Sequence, residues 1–85
     1  MAEFYYFSTA WCAPCKTFKP VVQQVSAENQ IPVQFIDAQQ QPELAARFGV
    51  SSVPTIVVAQ NGQVQFKHTG VMPKQLLESK LNAFR

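Results

Sequence analysis

An unbroken aromatic stretch, Phe4-Tyr5-Tyr6-Phe7, leads directly to the only two cysteines of the chain, in Trp11-Cys12-Ala13-Pro14-Cys15. Four large aromatics in a row read as a buried strand. Beyond the cysteines, Phe18, Val21, Val22 and Val25 fall at i, i+3, i+4 and i+7, one face of a helix from about Pro14 to Glu28. A strand that passes through a cysteine pair into a helix commits the fold to a βα unit with sulfur at the helix head. Residues three apart on a helix share a face, so the two thiols reach disulfide distance. Unpaired backbone N–H groups and the helix dipole favour an anion at that end, which stabilises a Cys12 thiolate. A thiolate attacks disulfides and a thiol does not. Cys12 is thus the expected attacking sulfur, with Cys15 closing the ring behind it.

Two other uses of the pair compete with this one. A structural disulfide here would close a loop of only four residues, contributing about 2 kcal/mol against about 3 for a fifteen-residue loop. That is a poor staple. A metal site would take half of a tetrahedral zinc shell from the pair. His68 is the only histidine, so a site within one chain would need a carboxylate or water as fourth ligand, although two chains could share four cysteines. The redox pair is the better reading, with no metal and no cofactor besides the Cys12–Cys15 disulfide itself.

At 85 residues the chain is expected to form one domain over 1–85. A hydrophobic fraction of 47% argues against disorder. The net charge is +2, with basic residues scattered from Lys16 to Arg85 rather than clustered, so no nucleic-acid partner is expected. Met1-Ala2-Glu3 leads into the first strand without a basic n-region or a long aliphatic stretch, predicting neither a signal peptide nor a membrane span. With a paired C-x-x-C, that predicts a cytoplasmic protein.

Further along, Val33-Gln34-Phe35-Ile36-Asp37 reads as a second strand, and Pro42 opens a short helix through Phe48 that Gly49 ends. Val53-Pro54-Thr55-Ile56-Val57-Val58-Ala59 is a β-branched strand, followed by the Asn61-Gly62 dipeptide of a tight hairpin. Its partner, Val64-Gln65-Phe66-Lys67-His68, alternates apolar and polar residues, and His68 reads as a surface position. Pro73 opens a last helix with an apolar stripe of Leu77, Leu81 and Phe84. The order β-α-β-α-β-β-α predicts an α/β fold. Two βα units and a terminal hairpin give a four-stranded mixed sheet with helices on both faces. Cys12 then lies beyond the C-terminal end of a strand, where open α/β sheets place their active sites.

These residues resemble the thioredoxin family across nearly the whole chain. Trp11-Cys12-Ala13-Pro14-Cys15-Lys16 resembles the family's W-C-G-P-C-K, with Ala13 in place of glycine. Pro20 stands where thioredoxins carry a kinking proline. Pro42-Glu43-Leu44-Ala45-Ala46-Arg47-Phe48-Gly49-Val50 is similar to P-E-L-A-x-x-Y-G-V, and Val53-Pro54-Thr55 to V/I-P-T, whose proline is cis. Gly70 matches a glycine beside the active-site groove. The resemblance implies a minimal thioredoxin fold, lacking the family's N-terminal βα unit. It also implies a substrate groove formed by Trp11, Ala13, Pro14, Val53, Pro54, Thr69, Gly70 and Val71.

Two departures concern chemistry. The family's buried aspartate, six residues before the first cysteine, corresponds to Tyr6, and the lysine that accompanies it corresponds to Phe35. Cys15 is therefore expected to ionise less readily than in thioredoxins, to use another proton route such as water, and to resolve mixed disulfides more slowly at neutral pH. The implied activity is thiol–disulfide exchange, as a protein-disulfide reductase acting as a monomer. Protein disulfides would be its substrates and a thioredoxin reductase or similar system its recycling partner. The alternatives are a glutaredoxin-like hydrogen donor to one reductive enzyme, such as a ribonucleotide reductase, and a non-catalytic binding module of the same fold.

Overall fold

The computed structural model describes residues Met1–Arg85. The elements are β1 (Ala2–Ser8), α1 (Ala13–Asn29), β2 (Val33–Asp37), α2 (Pro42–Arg47), β3 (Thr55–Gln60), β4 (Gln63–Thr69) and α3 (Lys74–Asn82). They form a four-stranded sheet in the order β2-β1-β3-β4. β1 and β2 run parallel, whereas β3 is antiparallel to β1 and β4 to β3. This is the mixed sheet expected from the order of elements.

The aromatic run owes its composition to its place inside that sheet. Successive strand residues point to opposite faces, and both faces of β1 are covered. Phe4 and Tyr6 pack with Phe18, Val22, Val25, Leu77 and Leu81 beneath α1 and α3. Tyr5 and Phe7 pack with Ile36, Ala45 and Phe48 on the α2 side. β3 divides in the same way, with Ile56 and Val58 on the first face and Val57 and Ala59 on the second. A strand without a polar face is what a two-sided core requires.

α1 and α3 are also joined at the surface. Lys74 Nζ lies 2.9 Å from Glu28 Oε1, and its hydrogen bond holds the Glu28 carboxyl below the usual carboxylate range. Asn29 Nδ2 donates to Glu78 Oε2 at 3.0 Å.

Several boundaries differ from those expected. β3 begins at Thr55 rather than Val53, because Pro54 has no N–H for the ladder; the Val53–Pro54 peptide bond is cis. α3 begins at Lys74, with Pro73 as its extended N-cap and Phe84 just past its end. The alternation of β4 is also broken. Val58 pairs with Phe66 but Ala59 with Val64, so β4 advances two residues for one of β3. This bulge sends Val64 and Phe66 to opposite faces. The hairpin itself is as expected: Asn61 (φ 55°) and Gly62 (φ 79°) both take the left-handed conformation of a two-residue turn.

Leu77 and Leu76 are neighbours on α3, but Leu77 is fully buried while Leu76 is 43% exposed. Leu77→Ala is expected to cost about 2–5 kcal/mol in urea unfolding, and Leu76→Ala to stay within about 0.5 kcal/mol of the parent.

Candidate redox site

Cys12 is the N-cap of α1. Its backbone is extended (φ −92°, ψ 106°), and its Sγ accepts the N–H of Cys15 at 3.2 Å. Pro14 occupies the first turn, where a missing N–H costs nothing because that donor would have no helical partner. The two Cα atoms are 5.2 Å apart and the sulfurs are joined as a disulfide. The sulfurs differ in access. Cys12 is half-buried, whereas Cys15 is only 2% exposed.

The strand registers bring the other expected site residues to this end of the sheet. Phe7 pairs with Thr55, and Thr55 with Thr69, so the end of β1, the head of β3 and the tail of β4 lie side by side. The Gly70 N–H donates to the Pro54 carbonyl at 2.8 Å. Gly70 has φ +100°, a conformation that L side chains rarely adopt. Thr55 is buried, and its hydroxyl donates to the Ser52 carbonyl at 2.7 Å. The expected groove residues form an open surface rather than a cavity. Trp11 is 82% and Val71 54% exposed; Ala13, Pro14 and Thr69 are exposed, Val53 and Gly70 half-buried, and Pro54 buried.

Behind the cysteines the site is apolar where a buried acid would be charged. Tyr6 is fully buried, and its phenol donates to the Cys15 carbonyl at 2.9 Å. Its ring meets Phe18 and Phe35 edge to face, with centroids 5.8 and 5.7 Å apart. Burial pushes the phenol pKa up to about 12, so at neutral pH it serves only as a donor. Tyr6 was expected to be a packing residue; its hydroxyl also ties β1 to the first turn of α1.

Beside Tyr6 a cleft of about 300 Å³ opens onto Cys15, lined also by Lys16, Lys19, Phe35 and Asp37. The Lys19 ammonium lies over the Phe35 ring, 5.7 Å from its centroid. Asp37 Oδ1 accepts the N–H groups of Gln39 at 2.8 Å and Gln40 at 3.3 Å. Neither Lys19 nor Asp37 stands out in the sequence as a site residue, and Lys16 does so only as the end of the cysteine motif. A signal for Lys19 existed, since it stands four residues after Cys15 on the same helix face. His68 is half-buried, with Nε2 3.4 Å from the Val71 carbonyl oxygen. No group of three or more potential metal-ligating side chains gathers anywhere in the chain.

The sequence model of the family described as thioredoxin matches residues 3–83. A thioredoxin of Porphyra purpurea is 35% identical over 80 residues, covering 92% of this chain and 75% of the relative. A thioredoxin of Bacillus subtilis (strain 168) is 33% identical over 78 residues, covering 89% and 75%. Among solved structures, a mutant thioredoxin from Halobacterium salinarum NRC-1 superposes with a TM-score of 0.89 at 26% identity, covering 98% of this chain and 74% of that one.

The Tyr6 phenol carries a testable alkaline signature. Its proton is held to about 12 in the fold against an ordinary value of 10, so the native state binds that proton more tightly than the unfolded chain. The resulting stability is present below pH 10 and is lost as the pH rises towards 12. Tyr6→Phe is expected to cost about 1 kcal/mol at pH 7 for the lost hydrogen bond. Its alkaline decline, followed by urea unfolding, should be shallower than the parent's, leaving the share of Tyr5, whose phenol burial also pushes up.

Proposed function

The chain belongs to the thioredoxin family, and from that premise we propose that its exchange reaction runs through Cys12 as the attacking sulfur and Cys15 as the resolving one. The protein is a thiol–disulfide oxidoreductase of the protein-disulfide-reductase kind. Such exchange uses the disulfide itself and needs no further cofactor. Membership of the family implies protein disulfides as substrates and a reductase that restores the dithiol.

The observation that carries the division of roles is the asymmetry of the pair. The half-buried Cys12 caps α1 with its sulfur on the Cys15 N–H, while Cys15 is 2% exposed. A thiolate at position 12 gains a backbone donor and the helix dipole, and it can be reached by a bulky disulfide. Cys15, 2% exposed, is too buried for a bulky disulfide to reach.

The substrate segment lies across Trp11, the Ala13-Pro14 turn, Val53-Pro54 and Thr69-Gly70-Val71, with the Val53 backbone pairing to it as a short strand addition. Cys12 thiolate attacks one substrate sulfur and the other leaves as a thiolate. Cys15 thiolate then attacks Cys12 Sγ, the Cys12–substrate bond breaks, and the second substrate thiol is released as the Cys12–Cys15 disulfide forms. Two electrons pass from the dithiol to the substrate.

In this reading residues 1–85 act as a single redox domain, a monomer recycled by a thioredoxin reductase. Its setting is the cytoplasm, where paired thiols are kept reduced. No helix is long and apolar enough to cross a membrane.

Cys12→Ser should abolish turnover with a model protein disulfide, and Cys15→Ser should accumulate a covalent mixed disulfide on Cys12. A Cys15→Ser variant that traps nothing would overturn the assigned roles. Equilibration in graded dithiothreitol buffers is expected to give a potential at or below about −240 mV, on the reducing side of the family's range. A value near that of oxidants such as DsbA, about −120 mV, would refute the reductase direction.

A further inference from the structure

The cleft against Cys15 has no part in the reaction as written above, and its lining addresses what that reaction leaves open: how a buried thiol ionises. Cys15 is 2% exposed, and two aromatic strand residues stand by it, Tyr6 on its carbonyl and Phe35 in the same cleft. Tyr6 engages the Cys15 carbonyl rather than the sulfur, and its phenol keeps its proton to about 12, so it cannot accept one at neutral pH. Phe35 offers neither charge nor proton. With these two rings alone, desolvation would hold Cys15 as the unreactive thiol.

Beside Ser8, Thr9, Ala10 and Ile36, the cleft is lined by three charged side chains. Tyr6 pairs with Phe35 and Ser8 with Asp37 in the β1–β2 register. Asp37 and Phe35 therefore share the sheet face beneath α1, the face on which Tyr6 packs. From α1 come Lys16 and Lys19. Lys19 follows Cys15 by one helical turn, which sets their Cβ atoms about 5–6 Å apart. Its ammonium is drawn in over Phe35, and so towards the cleft. Asp37 is the opposing charge. Its Oδ1 is engaged by the Gln39 and Gln40 N–H groups, and no ion pair joins it to either lysine.

We propose that Lys19, held over the Phe35 ring at the cleft beside Cys15, supplies the positive charge that favours the Cys15 thiolate during resolution, the thiol proton leaving through the cleft to water. This rests on the reading of Cys15 as the resolving sulfur. The step balances: Cys15 S–H gives its proton to cleft water, the thiolate attacks Cys12 Sγ, the Cys12–substrate bond breaks, and the departing thiolate takes a proton from solvent. Lys19 keeps its own protons throughout. It acts as a fixed charge, and it does so from an exposed position, where solvent screens it.

Reduced protein mixed with excess 5,5′-dithiobis(2-nitrobenzoate) in a stopped-flow instrument separates the two steps. The first thionitrobenzoate released reports attack by Cys12, and the second reports resolution by Cys15. In Lys19→Met the second phase is expected to slow roughly three- to tenfold relative to the first at pH 7, with its pH profile displaced upward by about half to one unit. Lys19→Arg should restore the parent profile, and raising the salt concentration should narrow the gap between Lys19→Met and the parent. Asp37→Asn keeps an Oδ1 acceptor for the turn but removes the opposing charge, so its profile should move downward. A Lys19→Met variant whose second phase keeps the parent pH profile would overturn the proposal. So would an Asp37→Asn variant with a slower second phase and an upward shift, because that outcome makes Asp37 the proton acceptor. The underlying reading fails separately, if Cys12→Ser rather than Cys15→Ser keeps the fast single release of thionitrobenzoate.

Discussion

The arrangement depends on β1 being buried on both faces. A strand with Phe4 and Tyr6 on one side and Tyr5 and Phe7 on the other is stable only between two covering layers, and each layer then fixes part of the site. The α1–α3 layer sets the height of the α1 head, because Tyr6 both packs on Phe18 and hydrogen-bonds the Cys15 carbonyl. The α2 layer, through Phe48 and Tyr5 with centroids 4.9 Å apart, holds the segment that leads to Val53-Pro54. Fully burying one aromatic or aliphatic side chain is worth about 1.5–3 kcal/mol. The four aromatics of β1 therefore carry a large share of the net stability of a domain this small.

Reactivity follows from where the two layers leave α1 uncovered. Its first turn emerges at the C-terminal end of β1, with the Cys15 N–H on Cys12 Sγ and an exposed Trp11 beside it. One turn deeper, the same helix buries Cys15 against an aromatic floor. Two sulfurs three residues apart thus meet different environments without any special device. An N-cap favours an anion and is open to a partner, whereas an apolar pocket favours a neutral thiol and admits only a neighbour.

Much of this was legible in the residues. The order of elements, the hairpin at Asn61-Gly62 and the helix stop at Gly49 each come from local chemistry that tertiary context did not override. The features that escaped are those set by partners distant in sequence. The β4 bulge arises from pairing with β3, and nothing in Val64-Gln65-Phe66 marks it. The bond from Tyr6 to the Cys15 carbonyl spans nine positions and depends on the helix crossing the sheet at one height. The cleft charges needed two elements at once: Lys19 could be placed on the Cys15 face by spacing, but Asp37 joins it only through the β1–β2 register. The groove was inferred by family likeness; of its parts, the Pro54 and Gly70 segments are joined by the Gly70 N–H on the Pro54 carbonyl. Their exposure, above all that of Trp11, could not be read from composition.

The replacement of a buried acid by Tyr6 is intelligible in terms of what a small domain can sustain. A lone carboxylate enclosed by Phe18, Phe35 and Cys15 would carry a desolvation penalty of several kcal/mol unless it were paired or protonated. Net stability of a domain is only about 5–15 kcal/mol, and a chain of 85 residues belongs near the lower end. A phenol bonded to a backbone carbonyl fills the same space with its polar atom satisfied, and adds edge-to-face packing on two rings. What is lost is a charge that could respond to the thiol. A lysine at the mouth of the cleft returns part of that influence from the solvent side, where keeping a charge costs little. On the roles proposed for Cys15 and Lys19, the exchange is a weaker field for a more stable floor, and the resolving step is expected to respond to pH and ionic strength more than the attacking one.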